Sequence, residues 1–172
     1  PISITPIRLE NIKDIFVRER LKIQSTEFAF SRFLVPYLCN YSGHAIFMDC
    51  DMLARANIAE LWRQRTTKYA VQCVQHDYTP TSTIKFMNQP QTPYPKKNWS
   101  SMMIFNNAKC TALSPDYVNS ATGLELHQFK WLESEDLIGN LGVEWNHLVG
   151  EYEYNESAKL VHYTEAVSYT HL

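Results

Sequence analysis

One stretch of the chain joins an apolar run to two closely spaced carboxylates: His44-Ala-Ile-Phe-Met-Asp49-Cys-Asp51-Met-Leu53. Its apolar run, residues 45–48, follows a turn signal at residues 41–43 and is typical of a strand buried on both faces of a parallel sheet. In an extended segment residues i and i+2 point the same way, so Asp49 and Asp51 aim at one point beyond the strand. Open α/β sheets bind ligands beyond the carboxyl ends of their strands. The stretch therefore predicts a cation site at the carboxyl end of this strand.

A bare Asp-x-Asp pattern is common by chance. The alternative to a cation site is a solvated loop in which the two aspartates cap the next helix. The apolar run in front of Asp49 favours the cation site, because a strand of this kind does not end in two carboxylates without a charged partner.

Composition excludes several classes of function. The chain has 172 residues, 45% of them hydrophobic, and a formal net charge of −2, which predicts one domain and no non-specific binding to nucleic acid. No apolar stretch reaches membrane-spanning length and no signal peptide is visible, so we expect a cytoplasmic protein. The four cysteines are scattered without a Cys-x-x-Cys pair, which indicates free thiols: Cys39, Cys50, Cys73 and Cys110.

The strongest helical pattern covers residues 25–40, where apolar side chains recur at helical spacing. Ser25 or Thr26 is the expected cap, and Pro36 predicts a kink or an early end. Arg32 is the one cation inside this apolar segment. Either its stem lies over the edge of the core with its head in water, or its guanidinium contacts a phosphate near the aspartate pair.

The remaining segments alternate between strands and helices, which predicts an α/β domain. Strands are expected at residues 1–7, 68–76, 99–106 and 159–164, and helices after Asn57, where Glu60 suggests a capping box, and at residues 115–121 and 124–132. Residues 77–97 and 133–142 are predicted to be loops, the first of them a lid or binding loop. His76 and Asp77 are weaker ligand candidates, since such a pair is more typical of a strand end.

Three stretches resemble the family 8 glycosyltransferases, which include glycogenin and bacterial lipopolysaccharide galactosyltransferases. They are Phe30-Ser-Arg32-Phe-Leu-Val-Pro36-Tyr-Leu38, the Asp-x-Asp stretch followed by Ile58-Ala-Glu-Leu-Trp62, and Lys159-Leu-Val-His162-Tyr-Thr164. More weakly, Trp99-Ser-Ser-Met-Met-Ile-Phe-Asn106 resembles the family's Asn-Ser-Gly strand. Glu135-Asp136 and Trp145-Asn146 resemble its later donor- and acceptor-side segments.

The resemblance implies a GT-A-like, Rossmann-like α/β fold with a mixed sheet flanked by helices. It also implies transfer of a sugar from a nucleotide-sugar, usually a UDP-sugar, to a saccharide, lipid or protein acceptor, with retention of configuration. Asp49, Asp51 and His162 would bind a divalent metal, Mn²⁺ rather than Mg²⁺. The donor side would comprise Arg32, Asp49, Asp51, Ser100, Asn106 and Asp136. The sequence alone favours an inert core histidine at position 162, and no residue stands out as the catalytic nucleophile.

The same resemblance predicts that residues 1–165 are one catalytic domain that begins after the family's nucleotide-binding strand. Residues 166–172 match neither the family nor a packing pattern, which suggests truncation at both ends and a fragment that is inactive alone. Two other functions stay open. One is a haloacid-dehalogenase-like phosphatase with Asp49 as nucleophile and bound magnesium. The other is an inactive relic or carbohydrate-binding module that stacks sugars on Trp99, Trp131 and Trp145.

Overall fold

A computed structural model describes residues 2–18, 28–77 and 95–164. These residues form four short α-helices and seven strands. In chain order they are α1 (Val35–Leu38), β1 (His44–Met48), β2 (Met52–Ala54), α2 (Ile58–Arg63), β3 (Val71–Val74), β4 (Met102–Asn106), α3 (Pro115–Ser120), α4 (Gly123–His127), β5 (Ile138–Leu141), β6 (His147–Val149) and β7 (Leu160–Tyr163). Within the described part of the chain, no helix has the length and apolar character needed to cross a bilayer.

The strands form two sheets. The central sheet has the order β1-β4-β3-β5, with β4 antiparallel to both β1 and β3 and with β3 parallel to β5. The small sheet has the order β2-β7-β6, in which β7 is antiparallel to β2 and parallel to β6. The expected mixed α/β architecture is therefore confirmed.

The expectation for the strand before Asp49 was wrong in two respects. β1 lies at an edge of the described central sheet and is only half-buried, and its neighbour β4 runs antiparallel to it. A run of apolar residues reports that a segment is buried, but it carries no information on the direction of its partner. The strands buried at every position are β3 and β4, in the middle of the central sheet.

The core lies on both faces of the central sheet. Along β4, Met103 and Phe105 face one cluster, while Met102 and Ile104 face the other, as the period of two along a strand requires. The first cluster contains residues from α3, α4 and the segment before α1. The second is covered by α2 and the small sheet, and Trp145 is its largest buried side chain.

Several predicted elements differ from those observed. In the described part of residues 25–40, the helix is a 3-10 turn, Ser31–Leu34, followed by the single turn α1, and Pro36 lies in the first turn of α1, where proline is tolerated. Residues 2–7 form no strand, and residues 133–142 contain β5 instead of only a loop. The helix predicted at residues 124–132 ends at His127, shortly before Phe129 takes a left-handed backbone conformation.

Other expectations are confirmed. β3, β4 and β7 lie within the predicted strands, and the four cysteines are free thiols. Asn57 caps α2 by accepting a hydrogen bond from the Ala59 amide at 3.0 Å. Glu60 does not complete a capping box, because its carboxylate pairs with Lys159 at 3.0 Å and ties α2 to the segment before β7. The greater part of the predicted lid, residues 78–94, and the predicted caps Ser25 and Thr26 lie outside the described residues.

Candidate metal and donor site

The two aspartates lie where the chain leaves the central sheet and enters the small sheet. The Asp49 amide donates to Ser101 O at 2.9 Å, which extends the pairing of β1 with the β4 segment by one bond. Asp51 O accepts from the Tyr163 amide at 3.1 Å, next to the first pair of β2 and β7. Residues 50 and 51 form a turn, so a turn between two sheets, and not strand alternation, brings the carboxylates together.

His162 reaches the same point from β7, where it pairs with Met52. Its ring is buried, and its Nε2 lies 3.4 Å from Asp51 Oδ1. One ligand atom from each of Asp49, Asp51 and His162 lies within 4.8 Å of the other two. We refer to these three residues as the metal group.

Arg32 packs directly behind the metal group. Its guanidinium binds both carboxylate oxygens of Asp49, at 2.8 Å from Oδ1 and 3.1 Å from Oδ2. It also donates to the backbone oxygens of Ser100 and Ala29, each at 2.9 Å. Because only 9% of this side chain is exposed, the alternative of a surface arginine with its head in water is wrong.

Burial and charge act differently on the two carboxyl groups. Burial raises the pKa of Asp49, and the positive charge of Arg32 opposes that shift. For Asp51, burial also favours a higher pKa, but the hydrogen bond and charge that a protonated His162 supplies outweigh it, and the pKa is lowered. Asp51 is therefore the exposed, readily ionised carboxylate of the metal group, and Asp49 is the buried one held by a cation.

The donor set fits a divalent cation of intermediate hardness. Two carboxylates suit hard ions, and an imidazole shifts the preference from Mg²⁺ toward Mn²⁺. Opposite ligands of an ion with bonds of about 2.1 Å lie about 4.2 Å apart. The three ligand atoms of the metal group all lie within 4.8 Å of one another, which is close to this separation.

The structure brings Ser100 to this site but not Asn106 or Asp136. Ser100 is buried, its carbonyl accepts from Arg32, and its hydroxyl lies 2.7 Å from His127 Nδ1. Asn106 pairs with His44 at the opposite end of β4 from the metal group. Asp136 is exposed in the 3-10 turn before β5, at that same far end, because β5 runs parallel to β3.

Buried polar side chains near the metal group make contacts that the sequence did not predict, although His76 and Asn146 were both singled out there. Asn146 lies 3.2 Å from His162, and His76 Nδ1 lies 2.8 Å from the Tyr152 hydroxyl. The Trp99 indole donates to His76 O at 2.9 Å. Since Asn146 precedes β6 and His76 follows β3, the available signal was the position of polar residues at strand ends.

The predicted stacking surface for sugars is not formed by two of its three tryptophans. Trp145 is fully buried, and Trp131 is 7% exposed within the first core cluster. Trp99 is half-buried and packs against Phe129. Large aromatic side chains contribute most to the stability of the fold when their whole surface is packed. This explains why Trp131 and Trp145 belong to the core.

Acidification is expected to destabilise the protein through His76. Burial, with a smaller effect of the positive charge of His162, lowers the pKa of His76 from 6.5 to about 4. The unfolded chain thus binds a proton below pH 6.5 that the folded chain binds only near pH 4, so stability falls as the pH drops through this window. The loss is expected to reach about 2–3 kcal/mol at pH 4.5.

Urea unfolding of the native protein and His76→Gln at pH 7 and pH 4.5 measures this contribution. Glutamine retains a polar group near Tyr152 but does not titrate, so the difference between the two pH values is expected to shrink in this variant. His44→Gln is the control, because it removes a half-exposed histidine at the start of β1, the end far from the metal group. An equal pH dependence in His76→Gln and the native protein would assign the loss to other groups.

No family model matches the sequence. The chain is 48% identical to Protein CDI of Arabidopsis thaliana over 173 residues, which is 95% of this chain and 66% of that protein. The chain thus spans slightly less than two thirds of the length of this relative.

Solved structures with a similar fold are glycosyltransferases. The WbbM bifunctional glycosyltransferase matches 87% of this chain and 33% of its own length, with 12% identity and a TM-score of 0.55. The glycosyltransferase GlyE of Streptococcus pneumoniae TIGR4 matches 94% of this chain and 45% of its own, with 12% identity and a TM-score of 0.51. At these identities the likeness concerns the fold, which is GT-A-like.

Proposed function

We propose that this chain is the metal-binding part of a glycosyltransferase that moves a sugar from a nucleotide-sugar, in the simplest case a UDP-sugar, to an acceptor. The observation that carries the proposal is the metal group: Asp49, Asp51 and His162 offer ligand atoms within 4.8 Å of one another on a GT-A-like fold. The resemblance of the surrounding stretches to family 8 supports a retaining reaction. In this proposal, residues 1–165 act as one catalytic unit.

The chemistry of the reaction accounts for the metal group. A nucleoside diphosphate leaving group gains negative charge as its bond to the sugar breaks, and a bound divalent cation neutralises that charge. With His162 neutral, as a metal ligand must be, Asp49 and Asp51 bring two negative charges and Arg32 one positive charge, a sum of −1. This sum attracts a divalent cation, and with the cation bound it becomes +1, which favours a diphosphate.

The aspartates have different tasks in this proposal. Asp51 has a 42% exposed side chain and is the ligand open to incoming cation and donor. Asp49 is held at both oxygens by Arg32, which fixes the direction in which its remaining lone pairs point. Arg32 is held in turn by Ser100 O, so Ser100 supports the donor side through the backbone. The position of the arginine also suits a contact with the donor diphosphate.

The phosphatase alternative has less support than the transferase. Both oxygens of Asp49 accept hydrogen bonds from the buried Arg32, which stabilises the carboxylate and makes it a weaker nucleophile toward phosphorus. The carbohydrate-binding alternative loses Trp131 and Trp145, which are buried. A relic that binds a nucleotide-sugar without transferring it would retain the same metal group, so turnover distinguishes it from an enzyme.

Calorimetric titration of UDP into the protein tests the proposal. We expect binding with Mn²⁺ present, weakened at least about tenfold when Mg²⁺ replaces it or when the protein is stripped with a chelator. Absence of Mn²⁺-dependent binding would contradict the proposal. Magnesium-dependent hydrolysis of an aryl phosphate that disappears in Asp49→Asn would favour the phosphatase instead.

A further inference from the structure

Asn146 occupies a buried position between the metal group and the turn before β4. Its side chain is fully inaccessible. Its Nδ2 donates to the Ser101 hydroxyl at 2.8 Å and to Asn98 O at 3.4 Å, and its Oδ1 lies 3.2 Å from His162 Nδ1. A buried amide engaged at both ends holds one orientation, because every other orientation breaks these bonds in a medium where they are costly to lose.

The Ser101 hydroxyl determines which side of the Asn146 amide carries Oδ1 and which carries Nδ2. A hydroxyl has one hydrogen, and Ser101 donates it to Asn98 O at 2.6 Å. Ser101 can then only accept from Asn146, so the amide turns its NH₂ group toward Ser101. The reversed amide would place an oxygen opposite Asn98 O and require a second hydrogen from Ser101. Oδ1 of Asn146 consequently faces His162.

We infer that Asn146 is a positioning residue that sets the tautomer of His162, with the proton on Nδ1 and the lone pair of Nε2 directed at the metal group. An oxygen at 3.2 Å from Nδ1 can only accept, so the imidazole donates its single ring hydrogen there. The nitrogen left with a lone pair is Nε2, 3.4 Å from Asp51 Oδ1. Only a nitrogen with a free lone pair binds a cation.

Asp51 favours the opposite tautomer of His162. A carboxylate near Nε2 attracts a hydrogen on that nitrogen, and a ring protonated at Nε2 has no lone pair for a cation there. The bond to Asn146 opposes this attraction. In the variant Asn146→Ala the acceptor is absent, and we expect the neutral ring to shift toward the Nε2-protonated form.

Nitrogen NMR of His162 tests the inference directly, at a pH where the ring is neutral and without metal. The signal is assigned by its absence in His162→Gln. We expect Nδ1 to carry the proton in the native protein, and the Nε2-protonated form to increase in Asn146→Ala. A native ring protonated mainly at Nε2 would overturn the inference, whatever becomes of the variants.

Cation affinity provides the second readout. Loss of a group that orients a metal-binding histidine typically costs about 10–100-fold in affinity. We expect such a loss of Mn²⁺ affinity in Asn146→Ala, measured by the electron paramagnetic resonance signal of free Mn²⁺, and a smaller loss in Ser101→Ala. Asn107→Ala is the matched control, because Asn107 is equally buried but binds Ser42 O at the far end of β4. Equal affinities for Asn146→Ala and Asn107→Ala would overturn the inference.

This second readout rests on the proposed function, whereas the tautomer does not. Should the native protein bind no Mn²⁺, the proposed function fails, and the metal-free NMR result still decides the role of Asn146. Should it bind Mn²⁺ while His162 is protonated at Nε2, the proposed function stands and the role of Asn146 fails.

Discussion

Replacing Arg32 by methionine is expected to lower the free energy of unfolding by about 3–5 kcal/mol, since removal of one partner from a buried ion pair leaves the other charge uncompensated. The pair qualifies as buried because the Arg32 and Asp49 side chains are 9% and 18% exposed. Methionine keeps an apolar stem beside Phe47, over which the guanidinium now lies at 5.0 Å. The effect therefore measures the lost charge and hydrogen bonds, and urea unfolding at pH 7 determines it.

Arg32→Met is also expected to weaken Mn²⁺ binding by at least about tenfold. Burial raises the pKa of Asp49 and Arg32 opposes it, so loss of the arginine favours the protonated carboxyl, which is a poor ligand. Arg32→Met combined with Asp49→Asn is expected to recover part of the stability without recovering cation binding. The double variant therefore separates the effect of the Asp49 charge on stability from the effect of its side-chain packing.

A matched control comes from the exposed pair of Arg8 and Glu10, whose side chains are 66% and 70% exposed. Arg8→Met is expected to change the free energy of unfolding by less than about 0.5 kcal/mol, because exposed ion pairs contribute little. A loss below about 1 kcal/mol in Arg32→Met would show that the pair is effectively solvated and would remove Arg32 as the support of Asp49.

The sequence predicted which residues form the metal group, but not how the fold brings them together. The sequence pointed to Asp49 and Asp51 because charged residues end an apolar run, and this signal needs no knowledge of the partner strands. The predicted geometry, alternation along one strand, was incorrect, because Asp49 precedes and Asp51 lies in a turn between two sheets. His162 lies more than a hundred residues away, and spacing alone favoured a core histidine there; only the family resemblance suggested a ligand.

The direction of β4 explains why one predicted donor residue, Asn106, lies far from the site. The resemblance suggested that the strand at residues 99–106 leads to a functional Asn106. β4 runs antiparallel to β1, so the segment that leads into β4, at Ser100 and Ser101, lies beside Asp49. The last residue of β4, Asn106, lies at the opposite end of the strands. A period of two marks which side chains share a face and is identical for both directions of a strand.

The segment before β1 shows how local geometry limits a periodic pattern. Apolar residues at helical spacing predicted one helix over residues 25–40, while the described part forms a 3-10 turn and one α-helical turn. Both geometries bury Phe33 and Leu34, which are fully inaccessible. Because burial is what the pattern encodes, it was correct about the core and wrong about the length of the helix.

Asp51→Asn is expected to remove most cation binding while leaving the fold intact. Asparagine keeps the size of the side chain but has no charge, and Asp51 is the exposed carboxylate of the metal group. We expect Mn²⁺ affinity to fall about 100-fold, equal to about 2.7 kcal/mol, with loss of metal-dependent UDP binding. Calorimetry with Mn²⁺ and then UDP measures both quantities.

The stability of Asp51→Asn should change little, in contrast to Arg32→Met. The pKa of Asp51 is lowered in the folded protein, so its ionised form adds stability at neutral pH that is lost as the pH falls. Solvent screening keeps this contribution small, because the side chain is 42% exposed. Asp136→Asn, at an exposed aspartate of the far end of the central sheet, is the control and should bind Mn²⁺ like the native protein. Unchanged affinity in Asp51→Asn would exclude Asp51 as a ligand, and with it the metal group on which the transferase proposal depends.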